Sequence, residues 1–402
     1  MNNRRLGVLL SALAAFILAG CTTPPPRELS RELPRYASLP NGHNPLNPEQ
    51  LIAQSMPADV DAAQGVIPYF ERARGHSLNI LEISGGGQNG AFGAGFLNGW
   101  RESGTRPTFD IVTGVSTGAL LATHAFLGTA ADDATLEEIF THLTPQDVYQ
   151  SRGILNVLLE GSSSMYDTSP LEATIAKYIT REVLQRVAAA YDDNRHLWVG
   201  TTNLDYNQTW VWNMTRIAKD GGPDALELYR KVLLASAAPP VAFPPVEIAG
   251  HLFGDGGVRE NVIVVGFAGT EEPKPPLHGP GNVFLIHNGY GNAAPHAVTA
   301  EIVAISGATI GVMFDNSMEA IVLRAYFATV ARGYKFNYVE IPEDIDVGHN
   351  MLAFDPKQMR IGFDAGRAMA KQPNPWSNAP PILGDFPPWA LKAIRDPNAG
   401  AN

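Results

Sequence analysis

One serine of this sequence lies between two glycines where an apolar strand gives way to an apolar helix. The stretch FDIVTGVSTGALLATHAFLG, residues 109–128, contains the motif Gly114-x-Ser116-x-Gly118. A serine on a sharp strand-to-helix turn is forced into a strained backbone conformation, and small residues two before and two after it let strand and helix pass closely. The strain lifts Oγ clear of the sheet, over the N-terminus of the next helix. We therefore predict that Ser116 is a nucleophile; a glycine-rich turn capped by serine is the alternative.

A second glycine-rich turn lies upstream, between a predicted strand and a helix predicted from residue 88 to residue 103. Its glycines are Gly85, Gly86, Gly87 and Gly90. Backbone N–H groups in such a turn are unobstructed by side chains and, with the helix dipole, stabilise negative charge. Successive βα units of a parallel sheet place their turns at the same sheet edge, so these glycines can face Ser116. We predict that they form an oxyanion hole, as acyl transfer requires.

The same glycines also satisfy the G-x-G-x-x-G spacing of a dinucleotide-binding turn. That fingerprint needs an acidic residue about 20 positions later, at the carboxyl end of the second strand. Asp110 has the spacing but precedes the strand IVTGV, far from where a ribose would lie. We therefore predict no nucleotide cofactor. We also predict no metal, because the sequence has no HExxH, CxxC or His/Cys cluster with metal-ligand spacing.

A nucleophilic serine needs a base, and the sequence offers two candidates. His287 closes the predicted strand NVFLIHN and could complete a Ser-Asp-His triad. Asp255 opens the motif Asp255-Gly256-Gly257, which follows the apolar segment VEIAGHLFG. By itself this motif favours a hairpin turn, for which Asp-Gly is a strong signal.

Taken together, these motifs resemble those of the patatin-like phospholipases, in the same order along the chain. The four similar segments are the glycine-rich loop 85–90, the Gly-x-Ser-x-Gly motif 114–118, ASAAPPVAFPPV at 235–246, and Asp-Gly-Gly at 255–257. The resemblance covers about residues 78–265. Gln88 and Asn89 depart from the pattern, because such enzymes commonly carry Lys or Arg near the end of the glycine loop.

The resemblance implies an α/β fold: a patatin-like three-layer α/β/α sandwich with a mainly parallel central sheet and a nucleophile elbow. It also implies a mechanism in which Asp255 takes the proton of Ser116, Ser116 attacks a phospholipid or other lipid acyl ester, and N–H groups chiefly of Gly86 and Gly87 hold the oxyanion. A catalytically idle lipoprotein scaffold, a peptidase, and a triad esterase using His287 are the alternatives.

The N-terminus has the pattern of a targeting signal. MNNRR is basic, and residues 6–18 are apolar but too few to span a bilayer comfortably. The sequence LAGC, ending at Cys21, resembles the lipobox of bacterial lipoproteins, which implies cleavage before this single cysteine and its acylation. In Gram-negative lipoproteins, an Asp directly after the acylated cysteine favours the inner membrane. This sequence has Thr22 at that position, so the resemblance implies an anchor in the outer membrane. An ordinary secretory cleavage site is the alternative.

Composition and patterning set the remaining expectations. With 402 residues, 45% of them hydrophobic, the chain can bury a large core, and a net charge of −11 without basic runs makes nucleic acid an unfavourable partner. The expected organisation is a signal peptide at 1–20, a tether and lead-in at 21–76, a catalytic core at 78–268, and strands and helices at 269–402 that complete the same domain.

Outside the motifs, apolar patterning predicts further strands and helices. They are a helix near 59–74, a strand hairpin over 195–214, a helix over 224–239, a strand over 282–290, one or two helices over 297–334, a strand over 335–344 and a helix over 354–372. We expect the apolar region 297–334 to be core, the alternative being that it borders an acyl-chain groove.

Overall fold

The computed structural model describes residues 30, 36–38, 66–153, 163–220, 222–265, 276–291, 297–298, 302–348 and 350–385. The predicted signal peptide, Cys21 and most of the predicted tether lie outside these residues.

A nine-stranded sheet forms the centre of the described fold. The strands in chain order are β1 (Ala37–Ser38), β2 (Asn79–Ile83), β3 (Ile111–Val115), β4 (Gln150–Ser151), β5 (Tyr166–Asp167), β6 (His196–Asn203), β7 (Gln208–Asn213), β8 (Val246–Ile248), β9 (His251–Asp255), β10 (Asn282–Ile286) and β11 (Lys335–Val339). Strands β4 and β5 form a separate antiparallel pair.

The helices connect or flank these strands. They are α1 (Val66–Arg74), α2 (Gly90–Glu102), α3 (Thr117–Leu127), α4 (Ala130–His142), α5 (Pro145–Val148), α6 (Ser169–Tyr178), α7 (Arg181–Asp192), α8 (Met214–Asp220), α9 (Ala225–Ser236), α10 (Ile302–Ala331) and α11 (Pro356–Met369). Short 3₁₀ turns occupy Gly87–Asn89, Gly256–Val258 and Pro381–Asp385.

The sheet has a parallel centre and an antiparallel side. Its order is β1-β7-β6-β3-β2-β10-β11, and the strands from β6 to β11 in that order are parallel. Strands β7, β1, β9 and β8 add antiparallel pairings beyond or beside β6. Parallel strands with helical crossovers are covered on both faces, which the predicted three-layer α/β/α fold requires and the structure confirms.

Side chains alternate between the two helical layers along the central strands. Leu81 and Ile83 of β2 pack in the same core as residues of α2, α3 and α11. Ile80 points to the opposite face and packs with α1. Leu285 of β10 likewise lies on that opposite face, against α10. Both faces of the sheet are therefore buried, which explains why its strands read as nearly continuous apolar runs.

The expectation that region 297–334 is core holds for only part of this region. The region contains one helix, α10, whose later turns place Met318, Ile321 and Ala325 in the core against β10 and β11. Its earlier turns instead carry exposed Ile305 and Val312. Among the described helices, none combines the length and the apolar character needed to cross a bilayer.

Candidate active site

Ser116 occupies the turn between β3 and α3 in a strained conformation. Its backbone angles are φ 55° and ψ −125°, a region that residues with a side chain rarely adopt. A Cβ atom on Gly114 would lie 2.4 Å from the carbonyl oxygen of Gly118, and one on Gly118 would lie 2.4 Å from that of Ile83. The two flanking glycines are therefore required by close backbone packing, as expected for a nucleophile elbow.

The sheet brings Asp255 to this turn because β3 and β9 meet end to end along β6. Val115, the last residue of β3, pairs with Gly200, and Asp255, the last residue of the antiparallel β9, pairs with Thr201. The residue after Val115 therefore faces the end of β9. The Oγ atom of Ser116 donates a hydrogen bond of 2.6 Å to Oδ2 of Asp255.

Asp255 is fully buried, and its carboxylate accepts hydrogen bonds from two donors. Its Oδ1 accepts a 2.8 Å hydrogen bond from the Gly257 N–H, in the 3₁₀ turn that follows β9. Burial raises the pKa of Asp255 to about 7, and the hydrogen bonds from Ser116 and Gly257 oppose this rise. A Cβ atom on Gly256 would lie 2.6 Å from the Gly200 carbonyl oxygen, so this glycine lets the turn approach β6.

The predicted oxyanion glycines divide into two pairs. Gly85 donates its N–H to Oδ1 of Asn261 at 3.0 Å, and the Gly90 N–H closes the 3₁₀ turn, so both shape the loop. Among the described residues, the N–H groups of Gly86 and Gly87 donate to no protein group. These two N–H groups can therefore receive an oxyanion.

Residues from the C-terminal part of the chain pack against this glycine loop. A Cβ atom on Gly86 would lie 2.1 Å from the Asn288 carbonyl oxygen. A Cβ atom on Gly87, where φ is +56°, would lie 2.1 Å from the Met351 carbonyl oxygen. The Asn288 side chain also donates to the Ser84 carbonyl oxygen at 2.8 Å. Glycine is thus the residue that both positions accept.

Gln88 has a structural contact in place of the expected basic side chain. It is buried, and its amide nitrogen donates to the Val347 carbonyl oxygen and to Oε1 of Gln358, each at 3.0 Å. Its amide oxygen accepts from the Asp355 N–H at 3.0 Å. The side chain therefore ties the glycine loop to the start of α11 and does not reach toward an oxyanion.

A cavity opens onto Ser116 and Asp255. Its other lining residues are predominantly apolar: Gly87, Thr117, Leu120, Phe140, Leu143, Val148, Leu171, Ala237, Pro239, Phe243, Phe314, Asn350, Met351, Leu352 and Phe354. Three of these come from the segment 235–246, which gives that motif a place in the site. Among the described residues of the lining, Asp255 is the one with an ionisable side chain, so this lining suits an uncharged apolar ligand.

The other two candidates from the sequence serve elsewhere. Nδ1 of His287 hydrogen-bonds the Tyr338 hydroxyl at 2.9 Å, and the structure brings Asp255, not His287, to Ser116. Asp110 lies at the start of β3, where it accepts a 2.7 Å hydrogen bond from Arg74. Its position and its ion pair agree with a structural role and not with ribose binding.

Sequence reasoning did not identify three polar residues that support the site. The Ser236 hydroxyl accepts from the Ser116 N–H at 2.9 Å, and Asn261 and Asn288 fix the glycine loop. Ser236 lies in the 235–246 motif, so a signal was present. Asn261 and Asn288 carry no local signal, because their roles arise from contacts distant in sequence.

Comparison with known proteins assigns this site to a family. Residues 81–267 match the model of the patatin-like phospholipases. A search of curated proteins gave no match. The crystal structure of VipD from Legionella pneumophila is similar with a TM-score of 0.39 and 14% identity, over 73% of this chain and 66% of that chain, just under two thirds of its length. That similarity is too low to indicate a shared function. The family match, in contrast, contains the glycine loop, the serine elbow and the aspartate motif. Residues 81–267 of this chain therefore belong to the patatin-like phospholipase family.

Proposed function

We propose that this protein is a serine acyl hydrolase that cleaves carboxyl esters of lipids, with Ser116 as nucleophile and Asp255 as proton acceptor. The observation that carries the proposal is the 2.6 Å hydrogen bond from Ser116 Oγ to Asp255 Oδ2 at one end of an apolar cavity. A carboxylate is a weak base at its ordinary pKa. Burial of Asp255 strengthens it, because a pKa of about 7 matches a proton acceptor to neutral pH.

In the proposed reaction, Asp255 takes the Ser116 proton as Oγ bonds to the ester carbonyl carbon. The carbonyl π electrons move to oxygen, and the N–H groups of Gly86 and Gly87 stabilise the resulting oxyanion. Collapse of the tetrahedral intermediate breaks the bond to the alcohol, which leaves with the proton from Asp255. Water, deprotonated by Asp255, then attacks the acyl-serine, and the carboxylic acid is released as Ser116 regains its proton.

The apolar lining of the cavity supports the proposal that the enzyme recognises the acyl group of a lipid. Side chains such as Leu120, Phe140 and Phe243 surround the space beside Ser116, and burying an alkyl chain against them contributes about 0.8 kcal/mol per CH₂ group. A peptide would place its polar backbone in the same apolar space, so the lining favours esters of fatty acids over amides.

The test compares wild type with Ser116→Ala on a soluble chromogenic short-chain ester and on a panel of labelled phospholipids with mass detection of products. We expect hydrolysis of both substrate types by wild type and a loss of at least about 10³-fold in the variant. Ser103→Ala, at an exposed serine, is the matched control. A folded wild-type protein that cleaves no ester would instead support the idle scaffold.

We also propose that the N-terminus anchors the protein to a bacterial outer membrane through acylated Cys21, by the lipobox resemblance. Several acyl chains together hold a protein firmly on a bilayer. Metabolic labelling with a palmitate analogue should mark the wild-type protein in the outer-membrane fraction and fail to mark Cys21→Ala. Release of an unlabelled, cleaved wild-type protein would indicate an ordinary secretory signal.

A further inference from the structure

The first turns of α10 present apolar side chains to solvent. Ile305 is 50% exposed and Val312 is 66% exposed, and Thr309, also exposed, lies between them at helical spacing. The solvent face of a helix in a water-soluble protein usually carries charged residues. Here the sequence contains a single charged residue, Glu301, between Lys274 and Asp315.

This apolar face adjoins the point where the active-site cavity reaches the surface. Most of the described residues that line the cavity are buried, but Asn350 is exposed, and Gly87, Leu120, Met351 and Leu352 are partly exposed. A Cβ atom on Gly311 would lie 3.6 Å from the terminal methyl of Met351. Phe314, on the next turn of α10, lines the cavity itself. The exposed Val312 and the cavity-lining Phe314 thus lie only two positions apart on the same helix.

We propose that the exposed face of Ile305, Thr309 and Val312 docks on the surface of a phospholipid bilayer, with the cavity mouth turned toward the lipid. The inference rests on the proposed function, because it concerns how a lipid ester reaches Ser116. Apolar side chains on one face of a helix partition into the interfacial region of a bilayer. An acyl chain then passes from the bilayer into an apolar cavity without crossing water, which removes the main cost of extracting it.

The test compares hydrolysis of phosphatidylcholine vesicles with hydrolysis of a soluble short-chain ester in full-length variants. Ile305→Asp and Val312→Asp place a charge on the face without changing the cavity lining. Val330→Asp, at a 49% exposed valine in the last turn of the same helix, is the matched control. Every variant keeps the same N-terminus, so any anchor there contributes equally.

We expect each of the two face variants to lower the vesicle rate about tenfold and to leave the soluble-ester rate within about twofold, whereas Val330→Asp changes neither. Val312→Thr, nearly isosteric, is expected to give a smaller decrease in the vesicle rate if the aspartate variants fold poorly. An unchanged ratio of vesicle to soluble rates, or an equal loss on both substrates, would overturn the proposal.

Failure of docking and failure of the hydrolase proposal remain distinguishable. If wild type cleaves neither substrate, the hydrolase proposal fails. Co-sedimentation of the four proteins with phosphatidylcholine vesicles, each also carrying Cys21→Ala to remove the proposed acyl anchor, then decides about docking. Greater vesicle-bound fractions for wild type and Val330→Asp than for Ile305→Asp and Val312→Asp support the docking face. Equal bound fractions for all four proteins contradict it.

Discussion

Ser116 and Asp255 are 139 positions apart in sequence, yet a 2.6 Å hydrogen bond joins Oγ of the serine to Oδ2 of the aspartate. If this contact carries the reaction, Asp255→Asn should reduce kcat/KM on a soluble ester by about 10²- to 10⁴-fold, because an amide cannot accept the serine proton. His287→Gln should retain a near-normal rate. Steady-state kinetics of both variants decide between dyad and triad: a loss in His287→Gln with activity kept in Asp255→Asn would establish the triad.

The pH dependence of hydrolysis should report the ionisation of Asp255. Its pKa lies near 7, and the carboxyl group must be deprotonated to accept the proton of Ser116. We therefore expect kcat/KM on a soluble ester to rise about tenfold per pH unit below pH 7 and to level off above it. A profile measured from pH 5 to pH 9 checks this expectation. An inflection near pH 4 would mean that the base titrates like an exposed carboxylate.

The stability of the fold should also depend on this carboxyl group. Its pKa is higher in the folded state than the ordinary value of 3.8, so the folded state binds the proton more tightly than the unfolded chain. As pH rises from about 4 to about 7, deprotonation of Asp255 therefore destabilises the wild-type fold. Asp255→Asn removes this charge, while an asparagine oxygen can still accept from the Gly257 N–H.

We expect the free energy of unfolding of Asp255→Asn, relative to wild type, to increase by about 2 to 4 kcal/mol between pH 4 and pH 8. Urea unfolding at the two pH values measures this difference, in which most other titrations cancel. A difference that is constant with pH would show that Asp255 keeps an ordinary pKa in the folded protein.

Ser236 should affect catalysis through the backbone of the nucleophile. Its hydroxyl accepts from the Ser116 N–H at 2.9 Å and donates to the Gly200 carbonyl oxygen at 2.7 Å. Ser236→Ala leaves both buried groups without this partner, at a cost of about 1 to 3 kcal/mol, and loosens the elbow. We expect kcat to fall about 10- to 100-fold with KM nearly unchanged. Equal kcat values for this variant and the exposed-site control Ser103→Ala would contradict a positioning role.

Gly118 should tolerate no side chain. A Cβ atom there would lie 2.4 and 2.5 Å from the carbonyl oxygens of Ile83 and Ser84, and backbone atoms of a central strand cannot easily move. Gly118→Ala should therefore lower the melting temperature and reduce esterase activity at least about 100-fold. Gly222→Ala is the control, because a Cβ atom at Gly222 meets nothing within 4 Å. Similar melting temperatures for the two variants would refute the close-packing argument.

The sequence predicted those parts of the site that depend on local sterics. The glycines around Ser116 and in the upstream loop could be identified because a tight strand-to-helix turn needs small residues at fixed spacing. The fold class was implied by the resemblance to the patatin-like phospholipases. The predicted helix over 88–103 was correct apart from its first turn, which is a 3₁₀ turn at Gly87–Asn89.

Contacts between distant segments could not be predicted in the same way. The sequence shows that Gln88 stands where related enzymes commonly carry a cation, but it does not show the hydrogen-bond partners of this side chain. Two of them, Val347 and Gln358, lie on segments whose position depends on the whole fold. The prediction that the whole region 297–334 is core did not hold for the first turns of α10, and for a different reason. The apolar residues of α10 are distributed around the whole helix, so periodicity cannot tell the turns that contact the core from those that carry Ile305 and Val312.

Strand β10 pairs with β2 in the middle of the sheet, although it follows the family-matched residues 81–267 in sequence. A fragment trimmed to those residues would leave one backbone edge of β2 unpaired, and such an edge recruits strands from other chains. It would also lack the carbonyl groups of Asn288 and Met351, which lie against the glycine loop. If the protein is a hydrolase, we expect its shortest active form to extend past residue 351, and a shorter form should be recovered as aggregate.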